Sequence, residues 1–411
     1  MTERISQFLA QTELATPFLV IDLQAVGERY RAYTKYFPQS GIYYAVKANP
    51  APELLRVLSD VGSNFDVASI GEIDLVLQQG IAPSRISFGN TIKKERDIAY
   101  AYGRGVRLFS FDSAAELDKL ARAAPGARLI CRILFEGRGA AWPLNRKFGC
   151  DGGMAVDLMI DAARRGMVPA GLSLHVGSQQ SDPNEYARAL GELARYSREI
   201  HQHGITLNAV NIGGGMPANY YRHPVPTITQ FSDKIMAAFQ ENFGANSDLA
   251  KSSKDYQDFT LMLEPGRGLV GDAGAISSEI VLVAKKSQQE DRNWVYLDIG
   301  KFGGLVETMD ESIKYYISYG HNFNEAEMQN GAKSNGAAHN GNFPGTNEMM
   351  RVILAGPTCD SADVLYDNED YRLPANIKAG DRVTIWSTGA YTSSYSSVNF
   401  NGFPPLKTVC I

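Results

Sequence analysis

Long apolar runs are missing from this 411-residue chain. No stretch approaches the ~20 residues a membrane-spanning helix needs, so no span is expected. Basic excess is missing too: 40 Lys and Arg against 45 Asp and Glu leave a net charge of −5. That balance offers no electrostatic footprint for nucleic acid or an anionic membrane. Cysteine is scarce. Cys131, Cys150, Cys359 and Cys410 lie far apart and show no metal-ligand spacing. In a cytoplasmic protein they stay reduced, and at most one is expected to be chemical. The opening Met1-Thr2-Glu3-Arg4-Ile5-Ser6 lacks a basic segment followed by an apolar core, so no secretory signal is expected and the expected location is the cytoplasm.

What is present is soluble globular text, 44% hydrophobic and 21% charged, in a chain longer than one ordinary core. Two domains are expected. From residue 40 to 270, short β-rich runs alternate with amphipathic stretches. The expected strands are Ile42–Lys47, Asn64–Ala68, Arg85–Gly89, Leu108–Asp112, Arg128–Leu134, Leu172–Val176, Ala209–Ile212 and Thr260–Glu264. Helical spacing marks Ile70–Gln79, Ala114–Ala124, Val156–Arg165 and Asn184–His201. This rhythm matches an α/β fold of the (β/α)8, TIM-barrel kind over 28–270. An open doubly wound sheet fits less well, because it has fewer strands and a glycine-rich first turn. Residues 1–27 and 271–411 are assigned to a second, all-β domain, with expected strands Ile280–Ala284, Trp294–Asp298, Val352–Ala355 and Arg382–Ser387. The run Phe18–Asp22 is expected to join its sheet. The Asn- and Gly-rich segment Gly320–Gly345 reads as a long loop, either functional or disordered.

In such barrels, chemistry sits at the C-terminal ends of strands. Those ends carry Lys47, Asp66, Asn90, Arg132, His175 with Ser178, Gly213-Gly214-Gly215 and Glu264-Pro265-Gly266-Arg267. A strand-end amine such as Lys47, if partly desolvated, forms a Schiff base with an aldehyde cofactor, although most lysines are plain surface charges. Gly213–Gly215 present backbone N–H groups to a phosphate, or merely make a tight turn. Ser178 adds a hydroxyl donor and Arg267 a charge-assisted one. His175 is either a structural histidine bonded to a backbone carbonyl or a flat ring that stacks on a planar cofactor. Glu264 at a strand end needs a cationic partner, which a protonated pyridine nitrogen supplies. Cys359, between turn residues and followed by Asp360, is placed for proton transfer, or else is a small buried hydrophobe.

As a set, these motifs resemble the fold-type III pyridoxal-phosphate-dependent decarboxylases, the group of ornithine, diaminopimelate and arginine decarboxylases with an alanine-racemase-like barrel. The matching pieces are Tyr44-Ala45-Val46-Lys47-Ala48-Asn49, Phe65-Asp66-Val67-Ala68-Ser69 with Glu72, His175-Val176-Gly177-Ser178, Ile212–Gly215, Glu264–Arg267, Gly356–Asp363 and Gly389–Thr392, in the family's order. The resemblance implies that Lys47 binds the aldehyde of pyridoxal 5'-phosphate, His175 stacks on its ring and Glu264 pairs with its nitrogen. Ser178, Gly213, Gly214, Gly215, Gly266, Arg267 and Tyr391 would hold the phosphate, with Asp66, Glu72 and Arg132 as a polar cluster beside the lysine. Cys359 would protonate the carbanion left by carbon dioxide. The family forms homodimers with shared active sites, so Cys359, Asp360 and Asp363 would serve the partner's barrel, and Lys147 would pair with a partner acid. Glutamate, rather than the arginine of the racemases, opposite the ring nitrogen implies decarboxylation.

The tail resembles the ornithine branch, and Asp298-Ile299-Gly300-Lys301-Phe302-Gly303-Gly304 is similar to bacterial lysine/ornithine decarboxylases. A small-molecule substrate with a distal ammonium needs an acid. Asp310 and Glu311 are the candidates, unless they form a solvated helical face. L-Ornithine or L-lysine giving putrescine or cadaverine is the expectation. The alternatives are a larger amino acid in a specialised pathway, or a non-catalytic regulatory homologue, which should have lost the cofactor residues present here.

Overall fold

Apolar strand text such as Leu-Phe-Ser-Phe (108–111) and Thr-Leu-Met-Leu (260–263) suits parallel strands covered on both faces. The computed structural model, which describes residues 2–142, 147–252, 259–330 and 348–411, closes eight such strands into a barrel. They are Gly41–Ala45, Asn64–Val67, Ile86–Phe88, Leu108–Phe111, Arg128–Arg132, Val168–Ser173, Ala209–Asn211 and Thr260–Leu263. The last pairs in parallel with the first, Met262 against Gly41 and Leu263 against Ile42, which closes the ring. Leu108, Ile130, Ala170, Ala209 and Met262 pack as one buried cluster with Tyr43 against it. Each expected strand is present, though the sixth begins at Val168, ahead of the apolar run that announced it.

Helix starts follow from local chemistry. The Ser69, Ser113, Asp151 and Asp182 side chains accept from N–H groups of their own first turns, and Thr227 with Gln230 forms a capping box. Such caps fix where each helix leaves the loop that carries site residues.

The chain divides into two compact units. One comprises 27–217 and 226–268, and contains the barrel. The other comprises 1–26, 218–225 and 269–411. Its main sheet runs Ile317–Tyr319, Arg382–Trp386, Gly274–Ala284, Asn293–Leu297, Met349–Ala355, Val364–Pro374. Phe18–Ile21 joins it, antiparallel to Gly274–Ala284 and parallel to Lys407–Cys410. The sheet is mixed, because Asn293–Leu297 also runs parallel to Met349–Ala355. The unit is not purely β, since helices Glu3–Gln11 and Glu325–Asn330 belong to it.

Residues 218–225 leave the barrel sequence to pack in this unit. Tyr221 N–H donates to Lys314 O and Arg222 N–H to Met328 O, each at 2.7 Å. Glu325–Asn330 also corrects the reading of Gly320–Gly345 as continuous loop; 331–347 lies outside the described residues.

Candidate active site

Lys47 stands one step beyond the expected place. The first barrel strand ends at Ala45, and Val46–Ala48 form a single 3-10 turn. Val46 and Ala48 are buried, whereas Lys47 is exposed, so in this chain its amine is presented rather than desolvated. The turn is rigid: Asn49 N–H donates to Val46 O at 3.1 Å and Tyr44 Oη to Asn49 O at 2.9 Å.

Facing charges come from neighbouring strand ends. Asp66 is 7% exposed and its Oδ1 has no hydrogen-bond partner among the described residues. Burial, and then the Glu264 charge, hold its carboxyl well above the usual range, while Lys47 and Arg132 pull it down. A Cβ at Gly89 would fall 2.0 Å from that Oδ1, so glycine is required there. Glu72 reaches back to accept from Ala68 N–H at 2.6 Å; burial raises its pKa, and this bond and Lys47 oppose the rise. Burial lowers the Arg132 pKa against the opposing charges of Glu264, Asp112 and Asp66.

A backbone N–H holds the His175 ring. Its Nδ1 accepts from Gly177 N–H at 2.9 Å, not from a side chain, so a neutral ring carries its proton on Nε2. Burial, Arg132 and Lys47 all push its pKa well below 6.5. The ring is neutral at physiological pH, and its Cδ2 lies 3.1 Å from a Cβ added to Gly213.

The glycine turn shows why no side chain is tolerated. Gly213 and Gly215 have φ of 67° and 99°, and added Cβ atoms at Gly213, Gly214 and Gly215 would fall 2.7, 2.5 and 2.3 Å from carbonyl oxygens. All three glycine carbonyls are occupied: Glu264 N–H takes Gly213 O, Tyr186 Oη takes Gly214 O, and Gln180 N–H takes Gly215 O. In a trans peptide, the next N–H points the opposite way. The N–H groups of Gly214, Gly215 and Met216 are thus turned away from these partners. Nearby, Arg267 (3% exposed) donates from Nη2 to Ser178 Oγ at 3.3 Å, and Gly266 is buried beside it. Glu264 directly follows the eighth strand, with Oε1 accepting from Asn211 Nδ2 at 2.5 Å.

The barrel unit thus gathers Lys47, Asp66, Arg132, His175 and Glu264 into one electrostatic cluster, with a cationic and N–H-rich corner beside it. The donor set fits pyridoxal phosphate: a flat neutral ring, an anion for a pyridinium, cations and N–H groups for a phosphate, and an amine. A family model described as the pyridoxal-binding domain of pyridoxal-dependent decarboxylases matches residues 23–271. The chain belongs to that family.

Among relatives of this decarboxylase, a lysine/ornithine decarboxylase of Selenomonas ruminantium is 32% identical over 409 residues, 100% of this chain and 93% of the relative. The arginine decarboxylase of Paramecium bursaria Chlorella virus superimposes with TM-score 0.83 at 27% identity, covering 100% of each chain. A lysine/ornithine decarboxylase of Vibrio vulnificus complexed with putrescine gives TM-score 0.82 at 26% identity, over 100% of this chain and 99% of that one. Pyridoxal 5'-phosphate is the cofactor.

Of the other expected residues, all but Lys147 lie in the β-rich unit. Cys359 is exposed, and its N–H donates to Asn401 Oδ1 at 3.0 Å. Asp360 is exposed, with Oδ1 accepting from Ala362 N–H at 2.9 Å in a local turn. Tyr391 is half-buried at φ 56°, its ring 5.7 Å from that of Tyr395. Lys147, in the barrel unit, is exposed with Nζ 5.0 Å from the Phe148 ring.

Two expected acids are already engaged by donors of their own unit. Asp363, 2% exposed, accepts from Lys301 N–H (2.8 Å) and from Thr358 N–H and Oγ1 (3.1 and 2.7 Å), so its carboxylate holds its own loop. Glu311 accepts from the backbone N–H groups of Asp367, Asn368 and Glu369 at 2.8, 2.6 and 3.1 Å. Those donors, with Asn368 Nδ2, engage both oxygens and leave it unsuited to a substrate ammonium. Asp310 stays exposed, at φ 52°.

Sequence reasoning missed Asn211 and Asp112, which accepts from Gly149 N–H at 2.8 Å. Asn211 stands two residues before the glycines, a signal available but unread.

Proposed function

We propose that this enzyme decarboxylates a basic L-amino acid, L-ornithine or L-lysine, to putrescine or cadaverine in the cytoplasm. The observation that carries this reading is Glu264, held in the same charged cluster as Lys47, together with whole-length similarity to lysine/ornithine decarboxylases. Pyridoxal phosphate, when bound, supplies an aldehyde for the amine and a sink for the electrons released as carbon dioxide leaves. Lys47 would be the amine that holds that aldehyde until substrate arrives. Glu264 keeps the ring nitrogen protonated, because a neighbouring anion raises the pKa of a cationic acid. His175, neutral, packs a ring face without adding charge. Ser178, Arg267 and the glycine N–H groups bind the phosphate, with Tyr391 completing the set. Asp66, Glu72 and Arg132 orient Lys47.

Cys359 returns a proton to the substrate carbon. The proposed homodimer places Cys359 and Asp360 at the partner's barrel, with Lys147 pairing to a partner acid. Asp310 meets the distal ammonium. The presence of every one of these cofactor residues speaks against a non-catalytic homologue.

The test is mass spectrometry of products from L-ornithine, L-lysine, L-arginine and meso-diaminopimelate, with Lys47→Ala as control. Putrescine or cadaverine from wild type alone supports the reading; activity surviving in Lys47→Ala defeats it. Mixing Lys47→Ala with Cys359→Ala should restore about a quarter of wild-type activity if sites are shared.

A further inference from the structure

Asn211 ends the seventh barrel strand and is 1% exposed. Gly213 N–H can only donate, so the atom 2.8 Å from it is Asn211 Oδ1, an acceptor. The other end of the amide is therefore the NH2 group, which faces Glu264 Oε1 at 2.5 Å. We propose that Asn211 is a positioning residue that holds the glycine turn and aims Glu264, keeping Oε1 for itself and leaving Oε2 for the cofactor's ring nitrogen. This rests on the decarboxylase reading above.

An NH2 group can only donate, so Oε1 is the acceptor in this contact. The gap that the amide spans is fixed by backbone bonds on either side: Glu264 N–H to Gly213 O at 2.8 Å and Ile212 N–H to Met262 O at 3.1 Å. Serine would be too short to reach both partners, and aspartate would supply an acceptor at each end. The charged and titratable groups around Glu264 are Asp66, Arg132 and Tyr43, which respond to its charge, and Lys47 and His175 in the same cluster.

Asn211→Asp separates the two contacts. It keeps the acceptor for Gly213 and sets a carboxylate against Glu264, and two such groups in contact share one proton. In the holoenzyme, kcat at pH 8 should fall at least tenfold, with KM and the dissociation constant of pyridoxal phosphate within threefold of wild type. The loss should recover as pH falls toward 6. In the protein freed of cofactor, the Tm deficit of Asn211→Asp should grow from pH 6 to pH 8. Adding Glu264→Gln, whose amide donates to the introduced carboxylate, should abolish that growth. Wild-type kcat in Asn211→Asp at pH 8, or a Tm deficit that is constant with pH and unrelieved by Glu264→Gln, overturns the proposal. If wild type decarboxylates nothing, the decarboxylase reading fails, while the Tm series still decides whether Asn211 governs Glu264.

Discussion

Asp363 gives the sharpest contrast between a residue that serves a neighbour and one that builds its own loop. Its carboxylate accepts three hydrogen bonds, from Lys301 N–H, Thr358 N–H and Thr358 Oγ1. Gly300 and Gly356 lie so close that added Cβ atoms would fall 2.1 and 2.4 Å from its oxygens. Asp363→Asn preserves shape and the bond to Lys301, but turns an NH2 group toward Thr358 N–H. Hydrogen bonds to charged groups contribute roughly 1.5–3 kcal/mol each, and an unpaired buried donor costs about 1–3. Losing the Thr358 N–H bond and the charge therefore costs about 3 kcal/mol. At 1.4 kcal/mol per tenfold, that is roughly a hundredfold loss of protection. Because the chain has two units, a single unfolding free energy is the wrong readout. Hydrogen exchange at Lys301 and Thr358 reads the local opening directly. Both should lose protection, and turnover should fall as Cys359 loses its brace. Unchanged exchange, with defective dimer assembly instead, would refute this reasoning and restore a partner role for Asp363.

Four further outcomes are expected. Gly215→Ala forces a Cβ to 2.3 Å from Gly177 O at φ 99°, and should weaken pyridoxal phosphate binding at least ~100-fold by dialysis; an unchanged constant refutes the cradle. Lys93, its pKa lowered to about 8 by burial, donates to Asn90 O and Ser110 O and lies 3.1 Å from Glu116. Lys93→Met should cost the barrel about 3 kcal/mol, read by hydrogen exchange of its strand amides, at the low end for a broken buried pair because Lys119 still holds Glu116; a neutral result sinks the claim. For His175, an unfolded imidazole binds a proton below pH ~6.5 and the folded one does not, so stability falls as pH falls through that value, by about 1.4 kcal/mol per unit. His175→Gln should remove that slope in the cofactor-free protein, and identical slopes would contradict it. Cys359→Ala should keep the cofactor's absorbance band but slow turnover, with some cofactor converted to its amine form by misplaced protonation; wild-type rate and product remove its role.

Sequence by itself determined the barrel, because strands buried on both faces must be written as apolar runs whose polar residues gather at one end. Lys47, Asp66, His175, Glu264 and Arg267 were readable for that reason. The strand Val364–Pro374 was not, since Asp367, Asn368, Glu369 and Asp370 mask its alternation. Nor was the transfer of 218–225 to the β-rich unit, which depends on contacts distant in sequence. Only tertiary structure decided what each acid and amide faces. Glu311 and Asp363 look like free carboxylates in the chain, yet the fold surrounds them with N–H donors. Asn211 looks like an ordinary strand end, yet the fold sets it between a glycine N–H and Glu264. Hydrophobic period is a local property of a sequence, whereas the partner of a polar atom depends on which remote backbone groups arrive within about 3 Å of it.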